Sequence, residues 1–106
     1  MASTAEFITV ATASDFPQSG DRIVIEVKGH YIAVFRVGTQ YYAIEDLCTH
    51  DDGPLAEGEL DGTVIECPRH GARFDLTSGK NLSMPAPAPV PWYETRLEGD
   101  DVQIKV

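Results

Sequence analysis

Cys48-Thr49-His50, then sixteen residues, then Cys67-Pro68-Arg69-His70-Gly71: this stretch governs how the rest of the chain is read. It holds both cysteines of the 106-residue sequence and two of its three histidines. Each cysteine is followed, two or three residues on, by a histidine. Two thiolates and two neutral imidazoles, arriving as mixed pairs from two loops, make a metal-ligand set. One tetrahedral zinc accepts such a set, although zinc sites usually pair Cys with Cys and His with His. One of each per loop suits a two-iron centre with both sulfurs on one iron and both nitrogens on the other. A lone Cys is often a small buried hydrophobe, and a lone His is usually structural. Two pairs at this spacing, followed by Pro and Gly, weigh against that explanation for all four.

The stretch resembles the signature of Rieske [2Fe–2S] domains, in which two His replace two Cys on one iron. The likeness takes in Gly53-Pro54-Leu55, Glu57-Gly58, Gly62, Phe74-Asp75, Ser78-Gly79 and a proline-rich stretch ending in Val90, and spans residues 5–106. It implies one [2Fe–2S] cluster, with Cys48 and Cys67 on the first iron and His50 and His70 on the second, through Nδ1. It implies ligand loops over residues 46–76 and a third, proline-containing loop over residues 84–91 packed beside the cluster. A zinc-binding or iron–sulfur-assembly module stays open as another reading.

Both cysteines are claimed by the site, so no disulfide is expected, which points to a reducing compartment. The formal net charge of -9 weighs against a nucleic-acid partner. The acidity serves solubility, or steers the protein toward a basic face of a redox partner. No basic region followed by an apolar run opens the sequence, and no stretch approaches membrane-spanning length. The expectation is a cytoplasmic, soluble, monomeric protein with one domain, residues 1–106.

Outward from the site, the chain reads as short strands separated by turns. Residues 7–11 are β-like, and Ser14 or Asp15 can cap a brief helical turn. Residues 22–28 alternate, with Ile23, Ile25 and Val27 on one face, the period of a half-buried strand. Gly29-His30 reads as a tight turn with His30 solvated and outside the site, and Tyr31–Val37 returns as the second arm of a hairpin. Tyr41–Glu45 leads to Cys48, and Thr63–Glu66 leads to Cys67. Glu57-Gly58 and Asp61-Gly62 read as turns. Leu55 is a candidate apolar cover for the site, Arg69 a docking cation or a solvated charge, and the Gly71 N–H is expected free to donate to sulfur. Arg73–Leu76 leaves the second loop. Trp92-Tyr93 reads as core or rim packing, and residues 94–98 and 102–106 as a closing hairpin. The expected fold is all-β, a small antiparallel sandwich or barrel carrying a Rieske cluster-binding subdomain.

The resemblance also frames the expected function. Two neutral imidazoles in place of two thiolates make the cluster less negative, which raises its potential over that of plant-type ferredoxins. Rieske proteins that oxidise quinols carry an extra cysteine pair and place Ser and Tyr hydroxyls at positions matching Ala72 and Phe74. This chain has neither feature. No nucleophile, general base or substrate pocket stands out, so an electron carrier is expected rather than an enzyme. It resembles the ferredoxins that take single electrons from an NAD(P)H-dependent flavoprotein reductase and pass them to a terminal oxygenase. The rival is the small Rieske-like subunit of a nitrite reductase, a group that often loses the ligands this chain keeps. Voltammetry is expected to place the midpoint near the bottom of the Rieske range of roughly −150 to +300 mV; a value well above zero refutes the expectation. Ala72→Ser or Phe74→Tyr is expected to raise the midpoint, and no shift in either removes the hydrogen-bond explanation.

Overall fold

The computed structural model describes residues 7–46, 55–68, 71–83 and 88–106. The chain enters through β1 (Phe7–Thr12) and a 3-10 turn (Ala13–Asp15). Thr12 precedes that turn, and its N–H donates to the Asp15 carboxylate at 2.9 Å. A meander follows: β2 (Arg22–Val27), β3 (His30–Val37) and β4 (Gln40–Glu45). Beyond residues 47–54 come β5 (Glu59–Asp61), β6 (Val64–Glu66) and β7 (Arg73–Asp75). The chain ends with β8 (Trp92–Tyr93), β9 (Thr95–Glu98) and β10 (Asp101–Lys105). These strands form three sheets, ordered β1-β10-β9, β2-β3-β4-β8 and β5-β6-β7, with antiparallel neighbours throughout. The expected all-β, antiparallel class holds.

The meander is the middle layer. Ile32, Ala33, Val34 and Phe35 are all fully buried, a continuous run rather than an alternation. Successive side chains on a strand point to opposite faces, so both faces of β3 are covered. Ile32, Val34 and Ala43 pack with Phe16, Val102 and Ile104 against the sheet that joins the two chain ends. Ala33, Phe35 and Ile44 pack with Leu55, Ile65, Cys67, Ala72, Phe74 and Val90 on the opposite side. The predicted apolar face of β2, Ile23, Ile25 and Val27, lies on the first of these cores.

Two strands escaped the sequence reading. β5 is only Glu59-Leu60-Asp61, too short to alternate and flanked by residues that read as turns. β8 follows the proline stretch and has two residues, paired to Ala43 and Ile44. Its Trp92 is half exposed, so rim packing describes it and core packing does not.

The first hairpin turn lies one residue earlier than expected. Val27 pairs with His30, leaving Lys28 and Gly29 as the turn, with φ of 53° and 83°. A two-residue I′ turn needs positive φ at both positions, for which Asn-Gly is the preferred pair. Lys28 therefore adopts a conformation that L-residues resist. Replacing it is expected to relieve that cost: Lys28→Asn should stabilise the fold by about 0.5–1 kcal/mol, read as a higher urea midpoint at unchanged slope.

Candidate metal centre

Of the four expected ligands, Cys67 lies within the described residues. Cys48, His50 and His70 lie outside them, as do Asp51, Asp52, Gly53, Pro54, Arg69, Pro85 and Pro87. Among the described residues no three His, Cys, Asp or Glu side chains converge.

Cys67 leaves the end of β6 and is buried, 1% exposed. Its N–H donates to the Ala72 carbonyl at 2.7 Å, and its carbonyl accepts from Gly71 N–H at 3.1 Å. These two bonds close the loop that carries the second expected ligand pair. They also correct one expectation: the Gly71 N–H is engaged by the backbone and is not left for sulfur. Leu55, Ala72 and Phe74 share the apolar cluster with Cys67 and are fully buried. Leu55 is therefore an interior residue, and neither Ala72 nor Phe74 offers a donor.

The third loop reaches the described residues at Ala88. Val90 is buried, and its N–H donates to the Gly79 carbonyl at 2.8 Å. The Pro91 carbonyl accepts from Glu45 N–H at 2.9 Å. The end of the proline stretch is thus tied to the turn after β7 on one side and to β4 on the other. That turn is shaped by Asp75, whose Oδ1 accepts from Thr77 N–H at 2.8 Å and Thr77 Oγ1 at 2.7 Å.

Two polar residues that the sequence left out flank the first expected ligand loop. Asp46 Oδ1 accepts from the N–H groups of Leu55 and Ala56, both at 2.8 Å. Arg22 Nη1 donates to the carbonyls of Ala56 at 3.0 Å and Gly58 at 2.7 Å. The guanidinium lies over the Phe35 ring, 5.2 Å from its centroid. Nothing in the sequence marks Arg22: the alternation of β2 assigns it to the face of Glu26, which reads as solvent. Asp46 had one signal, its place two residues before Cys48.

On the other face of β4, Glu45 accepts from Tyr93 Oη at 2.6 Å, and its second oxygen lies 3.1 Å from His30 Nδ1. His30 is exposed, as expected, and stands at the start of β3 as a partner of Glu45. Burial, then the hydrogen bond to Glu45 and its charge, push the Tyr93 phenol well above its ordinary range. It stays a protonated donor at any physiological pH, which suits a structural rivet. A groove of about 280 Å³ crosses the small sheet, lined by Glu59, Leu60, Asp61, Val64, Glu66 and Arg73. Its Arg73 is already paired with Glu66 at 3.2 Å.

A donor set of two Cys and two His fits a mixed-ligand metal group. The setting of Cys67 fits it too: a buried sulfur among apolar side chains, in a loop closed by backbone bonds, suits a metal bond shielded from water.

The comparisons with known proteins agree. The Rieske [2Fe–2S] domain model matches residues 6–94. Ferredoxin CarAc of Metapseudomonas resinovorans is 41% identical over 98 residues, 92% of this chain and 92% of its own. The ferredoxin of carbazole 1,9a-dioxygenase from Nocardioides aromaticivorans IC177 superposes with a TM-score of 0.87 at 32% identity, covering 96% of this chain and 97% of that one. In a complex of reduced oxygenase and oxidised ferredoxin of carbazole 1,9a-dioxygenase, the matching chain gives 0.86 at 40% identity, over 93% and 92%. A nitrite reductase small subunit from Mycobacterium tuberculosis gives 0.84 at 17% identity, over 98% and 97%. That level of identity shows the fold alone.

Gly71 and Gly79 both sit at positive φ, 77° and 75°, but their surroundings differ. Among the described residues a Cβ at Gly71 would meet only the Glu66 carboxylate at 3.7 Å, whereas at Gly79 it would collide with the Val90 carbonyl. Gly71→Ala is expected to cost about 1–2 kcal/mol, the left-handed penalty alone. Gly79→Ala is expected to cost about 2–5 kcal/mol, since overpacking adds to it. Urea unfolding of the two variants checks the order; equal costs would show that the Val90 contact gives way.

Proposed function

We infer, from the premise that this chain belongs to the Rieske [2Fe–2S] domain family, that it is a low-potential ferredoxin. It carries single electrons from an NAD(P)H-dependent flavoprotein reductase to a terminal oxygenase. The observation that supports this most is the 41% identity to a ferredoxin over 92% of both chains. The oxygenase partner is carried over from the ferredoxin–oxygenase complex, whose ferredoxin is 40% identical. The reductase, the cytoplasmic setting, the monomeric state and the lack of catalysis by the chain itself belong to the same proposal.

In this proposal Cys48 and Cys67 hold one iron of a single [2Fe–2S] cluster, and His50 and His70 hold the other. Bound there, the cluster supplies one-electron chemistry at a potential above that of all-cysteine ferredoxins. The chain's own part is to fix the ligands and exclude water from the sulfur side. Leu55, Ala72, Phe74 and Val90 supply the apolar surroundings of Cys67. Ala72 and Phe74 bring no hydroxyl to a reduced cluster, which supports a potential low in the Rieske range. The charge of -9 supports docking on a basic partner face.

The purified protein is expected to be red-brown, with two irons and two sulfides per chain, and to be reduced by NADH through a flavoprotein reductase. Cys67→Ser should lose the colour. A colourless wild-type protein holding zinc would favour the metal-binding module and end the carrier proposal.

A further inference from the structure

Holding two ligand pairs in register requires that the two loops be fixed to one another as well as to the core. We propose that Asp46 is a positioning residue that sets the first ligand loop, and with it Cys48 and His50, against the second. This rests on the ligand assignment proposed above.

One carboxylate oxygen of Asp46 receives the N–H groups of Leu55 and Ala56, so residues 47–54 begin and end at the same side chain. The Asp46 N–H donates to the Tyr31 carbonyl at 2.8 Å, which roots that side chain in β3. Bonds from N–H to carboxylate are charge-assisted and stronger than neutral ones. The returning segment is gripped from its other side as well. Arg22 takes the Ala56 and Gly58 carbonyls through Nη1 and spends Nε and Nη2 on the Gly20 carbonyl, at 3.1 and 2.9 Å. Arg22 stands opposite Phe35 in the sheet register, on the face that carries the site.

Gly58 then joins the two loops. A Cβ there would collide with the Glu66 carbonyl, so the exit of the first loop lies directly on the residue before Cys67. The route runs from β3 through Asp46 to Leu55 and Ala56, is held by Arg22, and ends where the second ligand pair begins. Any shift of residues 55–58 moves one pair relative to the other. Strand alternation places this carboxylate: Glu45 faces the Tyr93 side of β4, so the next side chain faces the loop.

The test compares holoprotein variants. Asn at this position keeps an oxygen that accepts both N–H groups but removes the charge; Ala removes the acceptor. Asp46→Ala is expected to lose iron to a chelator roughly tenfold faster than wild type, the scale of one lost charge-assisted bond. Its reduced cluster should give shifted and broadened EPR g-values. Asp46→Asn, which keeps both hydrogen bonds without the charge assistance, should fall clearly short of the Ala effect, within about fivefold of wild type in rate and with near-wild-type g-values. Arg22→Met, acting on the carbonyl side of the same segment, should also quicken iron loss, and it carries the test if Asp46→Ala does not fold. Wild-type lifetime and g-values in Asp46→Ala overturn the proposal; so does an Asn variant as impaired as Ala, which would assign the effect to charge. If Asp46→Ala is not recovered, an unchanged lifetime in Arg22→Met overturns it. A wild-type protein without iron and sulfide defeats the ligand assignment instead, and does so before any variant is compared.

Discussion

Burial of β3 on both faces is the constraint from which the other features follow. Its four central residues contact two different cores, Ile32 and Val34 on one side, Ala33 and Phe35 on the other. Because side chains alternate, a one-residue slip would exchange the two sets. Ala33 would then have to fill the place of a larger neighbour, and Phe35 would enter the sandwich core. The register is therefore strongly specified, and it propagates. Arg22 faces the site because it pairs with Phe35. Glu45, opposite Ile32, faces away from the site, which leaves Asp46 toward it.

The layer that carries the site is built differently from the sandwich. Its three strands have three residues each, too few for ladder bonds and alternation to hold it alone. What holds it is an apolar cluster shared with the middle sheet, together with backbone bonds that close each loop at its base. The Cys67–Ala72 closure, the Val90–Gly79 bond and the Asp46 acceptor all act where a loop leaves or rejoins the sheet. Such contacts fix where each segment leaves and rejoins the sheet. For a family whose cofactor is a [2Fe–2S] cluster, the burial of Cys67 suits the chemistry, because its sulfur is kept from water.

Much of the sandwich was legible along the chain because its signals are local. β2 and the closing hairpin announce themselves by alternation, and β3 and β4 by apolar runs set between turn residues. Boundaries slipped where two residues competed for one turn, as at Lys28-Gly29-His30. Arg22 and Asp46 were missed for another reason. A charge on a short strand looks solvated until the segment that covers it is known, and that segment lies 34 residues away for the Arg22–Ala56 contact.

The sequence by itself pointed to the chemistry of the site, since two Cys/His pairs at that spacing make a metal-ligand set without reference to any contact. It also determined the all-β class, through several short strand-like runs separated by turn residues. Only the tertiary structure decided that β1 joins β10 across the whole length of the chain, that β3 serves two cores, and that an arginine and an aspartate hold residues 55–58. Those features depend on which distant backbone groups come to lie within hydrogen-bonding distance, and no local pattern of residues encodes that.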